Sequence, residues 1–372
     1  MGWNDQQEGP KVKIFPVTGP YLGQVSSPVP KVKIPPNGFD EVLNWLTVRS
    51  RLQTRPRLNS FATIVDGKTV YAMRSFKDIN GSFHTLVLTT QDAYFITAGP
   101  VLNALSFPSG VTDLGSVNRP FGLAALLNKI YFSNGASGVS LLYTNGSSAL
   151  RVAGNVQGGA RFLAVIGGHL MMAYTTEGSR DFQNRVRWCS VGNPDNWTGE
   201  TAGFNNIFET PDEITGLVGA SRSGFIFRTN GVTTVTATGI GANPFAFEHL
   251  ATEPQGVGNF YPYSLASFGN RFTIFVAEDD IYGVTLPDFE PLGGNVRREI
   301  FADIRDTDTS IGPITGRILP NLGVGYDFLA YYLTIPKTAS TTTWVLAIEE
   351  RNWSKLEHAA GALSAMSTVY IT

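Results

Sequence analysis

Paired apolar runs of strand length recur along this chain, and this repetition constrains its fold more than any other feature. The two runs of a pair are separated by a short turn rich in Gly, Asn, Asp and Ser, which is the pattern of a β-hairpin. The pairs are residues 86–88 with 93–96, 123–127 with 130–132, 162–166 with 170–172, 217–218 with 225–227, 265–268 with 272–276, and 322 with 328–333. The chain is therefore predicted to consist mainly of antiparallel strands.

The spacing of these hairpins, about 40 to 55 residues, matches one four-stranded blade of a β-propeller. Roughly six such units fit between residue 40 and the C-terminus, and a seventh is added if residues 55–73 close the ring. We therefore predict an all-β fold, a β-propeller of about six to seven blades formed by residues 39–372. A pair of β-sandwich domains is the alternative. An α/β fold is disfavoured, because only residues 41–51 could form an amphipathic helix, and they suit a strand as well.

The first 38 residues differ from the rest because they are rich in proline. Residues 10–14, Pro-Lys-Val-Lys-Ile, recur as residues 30–34, and further prolines stand at positions 16, 20, 28, 35 and 36. Proline lacks a backbone donor and has a fixed φ, so such a segment suits a sheet edge or a neighbouring subunit better than a sheet interior. We predict that residues 1–38 form an extended N-terminal arm, with a partly disordered tail as the alternative.

Residues 185–197 predict a strand that ends in a blade corner. Val186 and Trp188 bracket Arg187 as in an alternating strand, and the following Gly-Asn-Pro-Asp at residues 192–195 is typical of a tight turn. Trp197 is expected to fold back over this corner as an apolar lid.

This segment resembles the pattern R-V-x-W … G-[ND]-P-x-x-W of a family of β-propeller proteins in the tails of short-tailed bacteriophages. Further segments are similar to the same family: residues 42–56, residues 275–283, and residues 331–354 with Tyr-Tyr, Trp344 and Arg-Asn-Trp-Ser. Three positions depart from it, because Arg51, Arg57 and Asp280 stand where turn glycines are usual. The resemblance covers about residues 40 to 357 in short pieces.

The resemblance implies a structural virion protein, a subunit of the tail nozzle or hub. Several copies would form a ring, usually six-fold, below the portal-side adaptor; the ring would extend the DNA-ejection channel and hold tail fibres or spikes on its flank. It also implies a virion location after assembly in the host cytoplasm, and no enzymatic activity. The alternatives are a carbohydrate-binding or glycan-cleaving propeller and another virion propeller scaffold.

Charge and composition agree with a structural role. The formal net charge of −2 and the pI near 6.1 disfavour a dedicated nucleic-acid binder, so phage DNA is expected to pass without sequence-specific binding. Charged residues make up 16% of the chain, below the usual 25% or so, as expected where subunit interfaces replace charged surface. The densest basic cluster, at Arg49, Arg51, Arg55 and Arg57, is interpreted as the exposed side of a hairpin.

The N-terminal residues lack a positive leader with an apolar core, and no run approaches the roughly 18 apolar residues of a membrane span. Neither an export signal nor membrane insertion is therefore expected.

A search for reactive chemistry yields no candidate catalytic, cofactor-binding or metal-binding residue, and no cofactor. Cys189 is the only cysteine and is interpreted as a packed strand residue. Two acidic clusters could in principle serve hydrolysis or calcium binding, but residues 278–280 suit a hairpin turn and residues 303–308 suit a solvated connection. The histidines lie far apart in sequence and are interpreted as strand or turn residues; they are His84, His169, His249 and His358.

Overall fold

A computed structural model of the chain shows an all-β propeller built from six four-stranded sheets. The structure describes residues 23–24, 38–39, 45–48, 51–54, 70–89, 92–96, 101–109, 111, 119–136, 141–156, 158–208, 211–250, 256–268, 272–285, 288–321 and 328–359. Within these residues, no helix has the length and apolar character needed to cross a membrane.

Each blade is one continuous stretch of chain, and the N-terminal segment before blade 1 adds four short strands, β1 to β4, described below. Blade 1 contains β5 Val70–Lys77, β6 Phe83–Thr89, β7 Ala93–Ile96 and β8 Leu102–Ala104; blade 2 contains β9 Gly122–Leu126, β10 Lys129–Ser133, β11 Leu142–Thr144 and β12 Arg151–Val152; blade 3 contains β13 Gly159–Ile166, β14 His169–Glu177, β15 Arg180–Trp188 and β16 Gly203–Asn206. Blade 4 contains β17 Ile214–Ala220, β18 Ser223–Arg228, β19 Gly231–Ile240 and β20 Asn243–His249; blade 5 contains β21 Ala266–Phe268, β22 Phe272–Val276, β23 Ile281–Thr285 and β24 Asp288–Pro291; blade 6 contains β25 Thr315–Asn321, β26 Phe328–Pro336, β27 Ser340–Ala347 and β28 Asn352–Ala359.

Within every blade, neighbouring strands follow one another in sequence and pair antiparallel. Because the strands alternate in direction, the turns between first and second strands and between third and fourth strands lie on one face of the propeller. We call this the upper face; it includes residues 78–82, 127–128, 167–168 and 241–242. The lower face carries the turns between second and third strands and the connections between blades.

The core lies between adjacent blades, where apolar side chains of one sheet pack on the next. Leu86 and Ile130 belong to the cluster shared by blades 1 and 2, and Ile166 and Ile226 to that of blades 3 and 4; all four are fully buried. Burial of aliphatic side chains on both faces of a sheet stabilises the fold by roughly 1.5–3 kcal/mol for each side chain. This arrangement explains why the apolar runs in the sequence are continuous and do not alternate.

The predicted hairpins are present, with one difference in position. The paired runs at 123–132, 162–172, 217–227 and 265–276 form the first and second strands of blades 2 to 5, as the blade prediction requires. The runs at 86–96 instead form the second and third strands of blade 1, because β5 precedes them. Leu322 lies outside the described residues.

One short helix was not predicted. The helix α1, Arg297–Arg305, connects blades 5 and 6 on the lower face. Ile300 and Ile304 are one helical turn apart and are buried in the cluster that contains Trp344 of blade 6. At nine residues the helix is too short to give a clear amphipathic pattern in the sequence.

The N-terminal segment contributes short strands outside the blades. β1 Gly23–Gln24 pairs parallel with β2 Gly38–Phe39, and β3 Trp45–Val48 pairs antiparallel with β4 Arg51–Thr54. Both β1 and β3 lie against β28, the last strand of blade 6. Residues 41–51 thus contain a strand where a helix was the alternative. The other residues of the predicted arm lie outside the described residues.

Candidate functional site: the central channel

The first strands of all six blades surround a central cavity of about 570 Å³. Its wall is formed by β5, β9, β13, β17, β21 and β25, together with Pro262 and Tyr263 on the connection that enters blade 5. A cavity of this volume is in the range of small-molecule sites, typically about 300–1,000 Å³. The channel is therefore the first candidate for a functional site.

Three arginines line the channel. Arg74 comes from β5 of blade 1, Arg161 from β13 of blade 3 and Arg317 from β25 of blade 6. Among the described residues that line the cavity, none is Asp or Glu. The described wall of the channel is therefore cationic, although the whole chain carries a slight negative charge.

A bulge in blade 3 positions the partner of Arg161. The register of β14 against β15 shifts between Ala173 and Thr175, and the intervening Tyr174 has a positive φ of 54°. A bulge of this kind re-aims a side chain. The guanidinium carbon of Arg161 lies 3.8 Å from the centre of the Tyr174 ring, a cation–π contact that holds the guanidinium group in place.

Tyr263 adds a phenol to the channel wall. Its ring packs near that of Phe162, with 6.1 Å between the ring centres. Burial raises the pKa of Tyr263 to about 12; the nearby Arg161 and Arg119 act in the opposite direction, and the charge of Glu213 acts in the same direction as burial. The phenol is consequently protonated at neutral pH and can donate a hydrogen bond.

Burial also acts on the guanidinium groups. Desolvation lowers the pKa of Arg74 and the pKa of Arg317, because the low-polarity wall disfavours a charge. Arg74 nevertheless has solvent access within the channel. Both side chains stay cationic, since arginine does not lose its proton in proteins at ordinary pH.

A second cavity of about 450 Å³ opens on the upper face between blades 3 and 4. Val191 and Ile240, both exposed, lie on its rim beside the two-glycine turn at residues 167–168. His169 lies at its base, where Nδ1 is 2.7 Å from the backbone oxygen of Cys189. This cavity is less polar than the channel and is joined to the exposed turns of the upper face.

The segment at residues 185–197 forms the predicted strand and corner. Trp197 is almost completely buried and its indole Nε1 donates to the backbone oxygen of Pro194 at 2.8 Å, so the lid prediction is confirmed. Arg187, in the strand of this segment, is buried, and a nitrogen of its guanidinium lies 3.4 Å from Glu177 Oε2.

The two acidic clusters have different environments. Residues 277–280 form the turn between β22 and β23, as predicted, and Asp280 accepts hydrogen bonds from the backbone N–H groups of Ile281 and Gly293. The prediction of a solvated connection is wrong for Asp303, which is buried in α1. Its carboxylate contacts Lys337 Nζ at 2.7 Å and Lys355 Nζ at 3.2 Å.

The cysteine and the histidines that the sequence analysis considered for reactive chemistry do not form a common site among the described residues. Cys189 is fully buried as predicted for a packed residue, and burial raises its pKa to about 12. His84 contacts Asp78 and His249 contacts Arg228, on different blades. Within the described ranges, no three His, Cys, Asp or Glu side chains form a group that could hold a metal ion.

Sequence reasoning did not single out the channel arginines, because they are far apart in the chain. A signal was nevertheless present, because each of the three stands next to apolar residues or glycine in the first strand of its blade. Charged side chains are uncommon in such a strand unless they pair with another group or serve a function. Only closure of the ring brings Arg74, Arg161 and Arg317 to a common cavity.

Comparisons with known proteins give no family. No protein-family model matches the chain, and no curated protein matches it. Solved structures similar to this fold include human WBSCR16, with 8% identity, coverage of 83% of this chain and 87% of that chain, and a TM-score of 0.41. The Dos1 propeller has 10% identity, coverage of 64% and 60%, and a TM-score of 0.38. Hsv2 of Kluyvelomyces marxianus has 10% identity, coverage of 78% and 97%, and a TM-score of 0.32.

Proposed function

We propose that this protein is a structural subunit of a bacteriophage tail, part of the nozzle or hub ring that extends the DNA-ejection channel and supports fibres or spikes. The proposal starts from the resemblance of residues 185–197 and three other segments to that family. It assigns the chain a role in assembly and no enzymatic activity.

The observation that carries the proposal is where the resembling segments lie. Residues 186–188 are in the third strand of blade 3, residues 281–282 begin the third strand of blade 5, and residues 353–354 are in the fourth strand of blade 6. Trp188, Ile281 and Trp353 are all buried there. The resemblance thus falls on the framework of separate blades, which supports a shared architecture over a chance match in one loop.

The upper face supplies a surface for assembly. Large apolar side chains project from turns of four successive blades: Ile79, Leu127, Val191 and Ile240, with 85%, 55%, 55% and 61% of their area exposed. Val191 and Ile240 lie together on the rim of the second cavity, and exposed apolar patches of this kind favour contact with another protein. We propose that this face meets a different surface of the next copy, since head-to-tail contacts of that kind form rings when the rotation between copies closes.

Several partners follow from this role. The ring would consist of copies of the same chain, six in the family that it resembles, and would join the portal-side adaptor above and fibres or spikes at the flank. Phage DNA would pass through the ring without sequence-specific binding. The proline-rich arm of residues 1–38 would link each subunit to its neighbour or to the adaptor, in the virion tail.

Electron microscopy tests the proposal most directly. The full chain would be imaged alone and after mixing with tail or particle fractions, and the images classified for rotational symmetry. We expect closed rings with a central opening, formed at least in the mixture. Separate propellers that never join a particle in either sample would contradict the proposal.

Two sets of variants locate the contacts. Val191→Asp with Ile240→Asp places two charges on the upper face and is expected to prevent ring formation while circular dichroism and melting temperature stay unchanged. Phe208→Asp is the control, because Phe208 is 73% exposed on the lower face.

Deletion of residues 1–38 should impair assembly without unfolding the propeller. Full rings from the truncated chain would show that the arm is not needed for assembly and would remove it from the proposal.

A further inference from the structure

We propose that the central channel binds a small anion that carries several negative charges, such as a compound with more than one phosphate or carboxylate group. The basis is the convergence of Arg74, Arg161 and Arg317 on one cavity whose described wall contains no acidic side chain. The site belongs to a single subunit, so it is independent of ring formation.

Arg161 is prepared for a ligand. The centre of the Tyr174 ring lies 3.8 Å from the guanidinium carbon of Arg161, a cation–π contact that holds the group in place without accepting hydrogen bonds in the ring plane from its N–H donors. The buried Nε of Arg161 has no hydrogen-bond partner among the described residues. A buried donor without an acceptor is unfavourable, and a nearby anion would stabilise the charged guanidinium that carries it.

Arg74 brings a second cation to the same space. Its side chain lines the channel and has solvent access there. Burial lowers the pKa of Arg74, because the surrounding wall is a poorer solvent for its charge than water. A bound anion would add an opposite charge beside this cation, which is accessible from the channel.

The positions of the three cations favour an anion with separated charges. Blades 1, 3 and 6 lie at different points around the ring, so the arginines approach the cavity from different sides. A molecule with two or three anionic groups could contact several of them at once, and arginine suits planar carboxylates and phosphate oxygens alike. The protonated phenol of Tyr263 adds a neutral donor to the same wall.

Calorimetric titration of the full chain with tripolyphosphate, and separately with citrate, tests the proposal. We expect saturable binding of at least one probe, and the stronger of the two distinguishes phosphate from carboxylate recognition. Arg161→Gln and Arg74→Gln should each weaken binding at least tenfold. Arg151→Gln removes the same charge from the exposed outer strand of blade 2 and should change affinity less than twofold.

Arginine modification of the unaltered protein avoids any folding defect of the variants. Phenylglyoxal labelling would be followed by peptide mass spectrometry with and without the probe. Arg74 and Arg161 should be labelled at least fivefold more slowly with tripolyphosphate or citrate present, whereas Arg151 should not change. The proposal is overturned if neither probe shows saturable binding. It is also overturned if Arg151→Gln weakens binding as much as the channel variants do, or if the probe protects Arg151 from labelling as much as it protects Arg74 and Arg161.

Discussion

The indole Nε1 of Trp344 donates a hydrogen bond to the Asp303 carboxylate at 2.8 Å, and this contact ties α1 to the third strand of blade 6. The other oxygen of the same carboxylate lies 2.7 Å from Lys337 Nζ. Trp344 is fully buried and Asp303 nearly so. The one α-helix among the described residues is therefore joined to the sheet both by apolar packing and by a buried charged group.

Loss of Asp303 should be strongly destabilising. Asp303→Ala leaves the largely buried Lys337 and Lys355 without their nearest carboxylate, and breaking a buried pair in this way costs about 3–5 kcal/mol. Urea unfolding followed by tryptophan fluorescence would measure the change. Asp306→Ala is the matched control, because Asp306 is 72% exposed and lies 3.9 Å from Lys337; it should change stability by less than about 0.5 kcal/mol. Equal effects of the two variants would show that the buried contact is unimportant.

The turn at residues 167–168 should not tolerate a side chain. Gly167 has a φ of 59°, and a Cβ added there would lie 2.5 Å from the Cβ of Ala237 in blade 4. Gly167→Ala therefore combines backbone strain of roughly 1–2 kcal/mol with a steric clash. Gly178→Ala is the control, since Gly178 has a similar φ of 63° and open space around it. The melting temperature should fall distinctly further for Gly167→Ala, and an equal fall would argue against close packing of blades 3 and 4.

Cys189 should be unreactive in the folded protein. Its side chain is fully buried, its Sγ accepts a hydrogen bond from the Leu170 N–H at 3.1 Å, and burial raises its pKa to about 12. Almost no thiolate is present at pH 8, and the thiolate is the nucleophile that reacts with alkylating reagents. Iodoacetamide at pH 8 should label Cys189 only in urea, as followed by mass spectrometry. Rapid labelling without urea would mean that blade 3 opens easily or is packed differently.

Asp78 should contribute to stability only above acidic pH. The hydrogen bond with His84, at 3.1 Å, and backbone N–H groups of Ser82 and Asn80 lower the pKa of Asp78 below its ordinary value. A carboxyl whose pKa is lowered on folding stabilises the folded state above its unfolded pKa, near 4, and this contribution disappears as pH falls through the folded pKa. The free energy of unfolding of the wild type should therefore exceed that of the Asp78→Asn variant at pH 5 by more than at pH 2.5.

The partner of Asp78 provides the control for this pH effect. A His84→Phe background removes the largest contribution to the lowered pKa of Asp78. The effect of Asp78→Asn on the free energy of unfolding would be measured again in this background at the same two pH values. We expect a smaller dependence on pH there. An unchanged dependence would assign the effect to the turn backbone and not to His84.

The blades could be predicted well from local sequence. Turns such as residues 167–168, where two glycines with positive φ join apolar runs, require a hairpin whatever surrounds them. Trp197 could be predicted as a lid because the turn residues before it reverse the chain. The hairpin turns and the Trp197 lid depend on interactions between residues that are close in sequence, so a few neighbouring residues were enough to predict them.

The surroundings of charged residues could not be predicted in the same way. Asp303 was interpreted as part of a solvated connection because charged side chains usually are solvated, yet it is buried beside Lys337, which is distant in sequence. The pairing of Arg187 with Glu177 on the neighbouring strand was likewise not indicated by the local sequence. The same limit applies to α1, whose helix is stabilised mainly by packing of Ile300 and Ile304 on blade 6.

The sequence by itself determined the class of fold, because the alternation of apolar runs and turn residues acts over a few neighbouring positions. The tertiary structure decided that there are six blades and which side chains line the channel. Arg74 and Arg317 are in the first and last blades of the chain, and only closure of the ring places them in one cavity. The electrostatic interaction between these side chains depends on the distance between them in space, and a local stretch of sequence does not specify that distance.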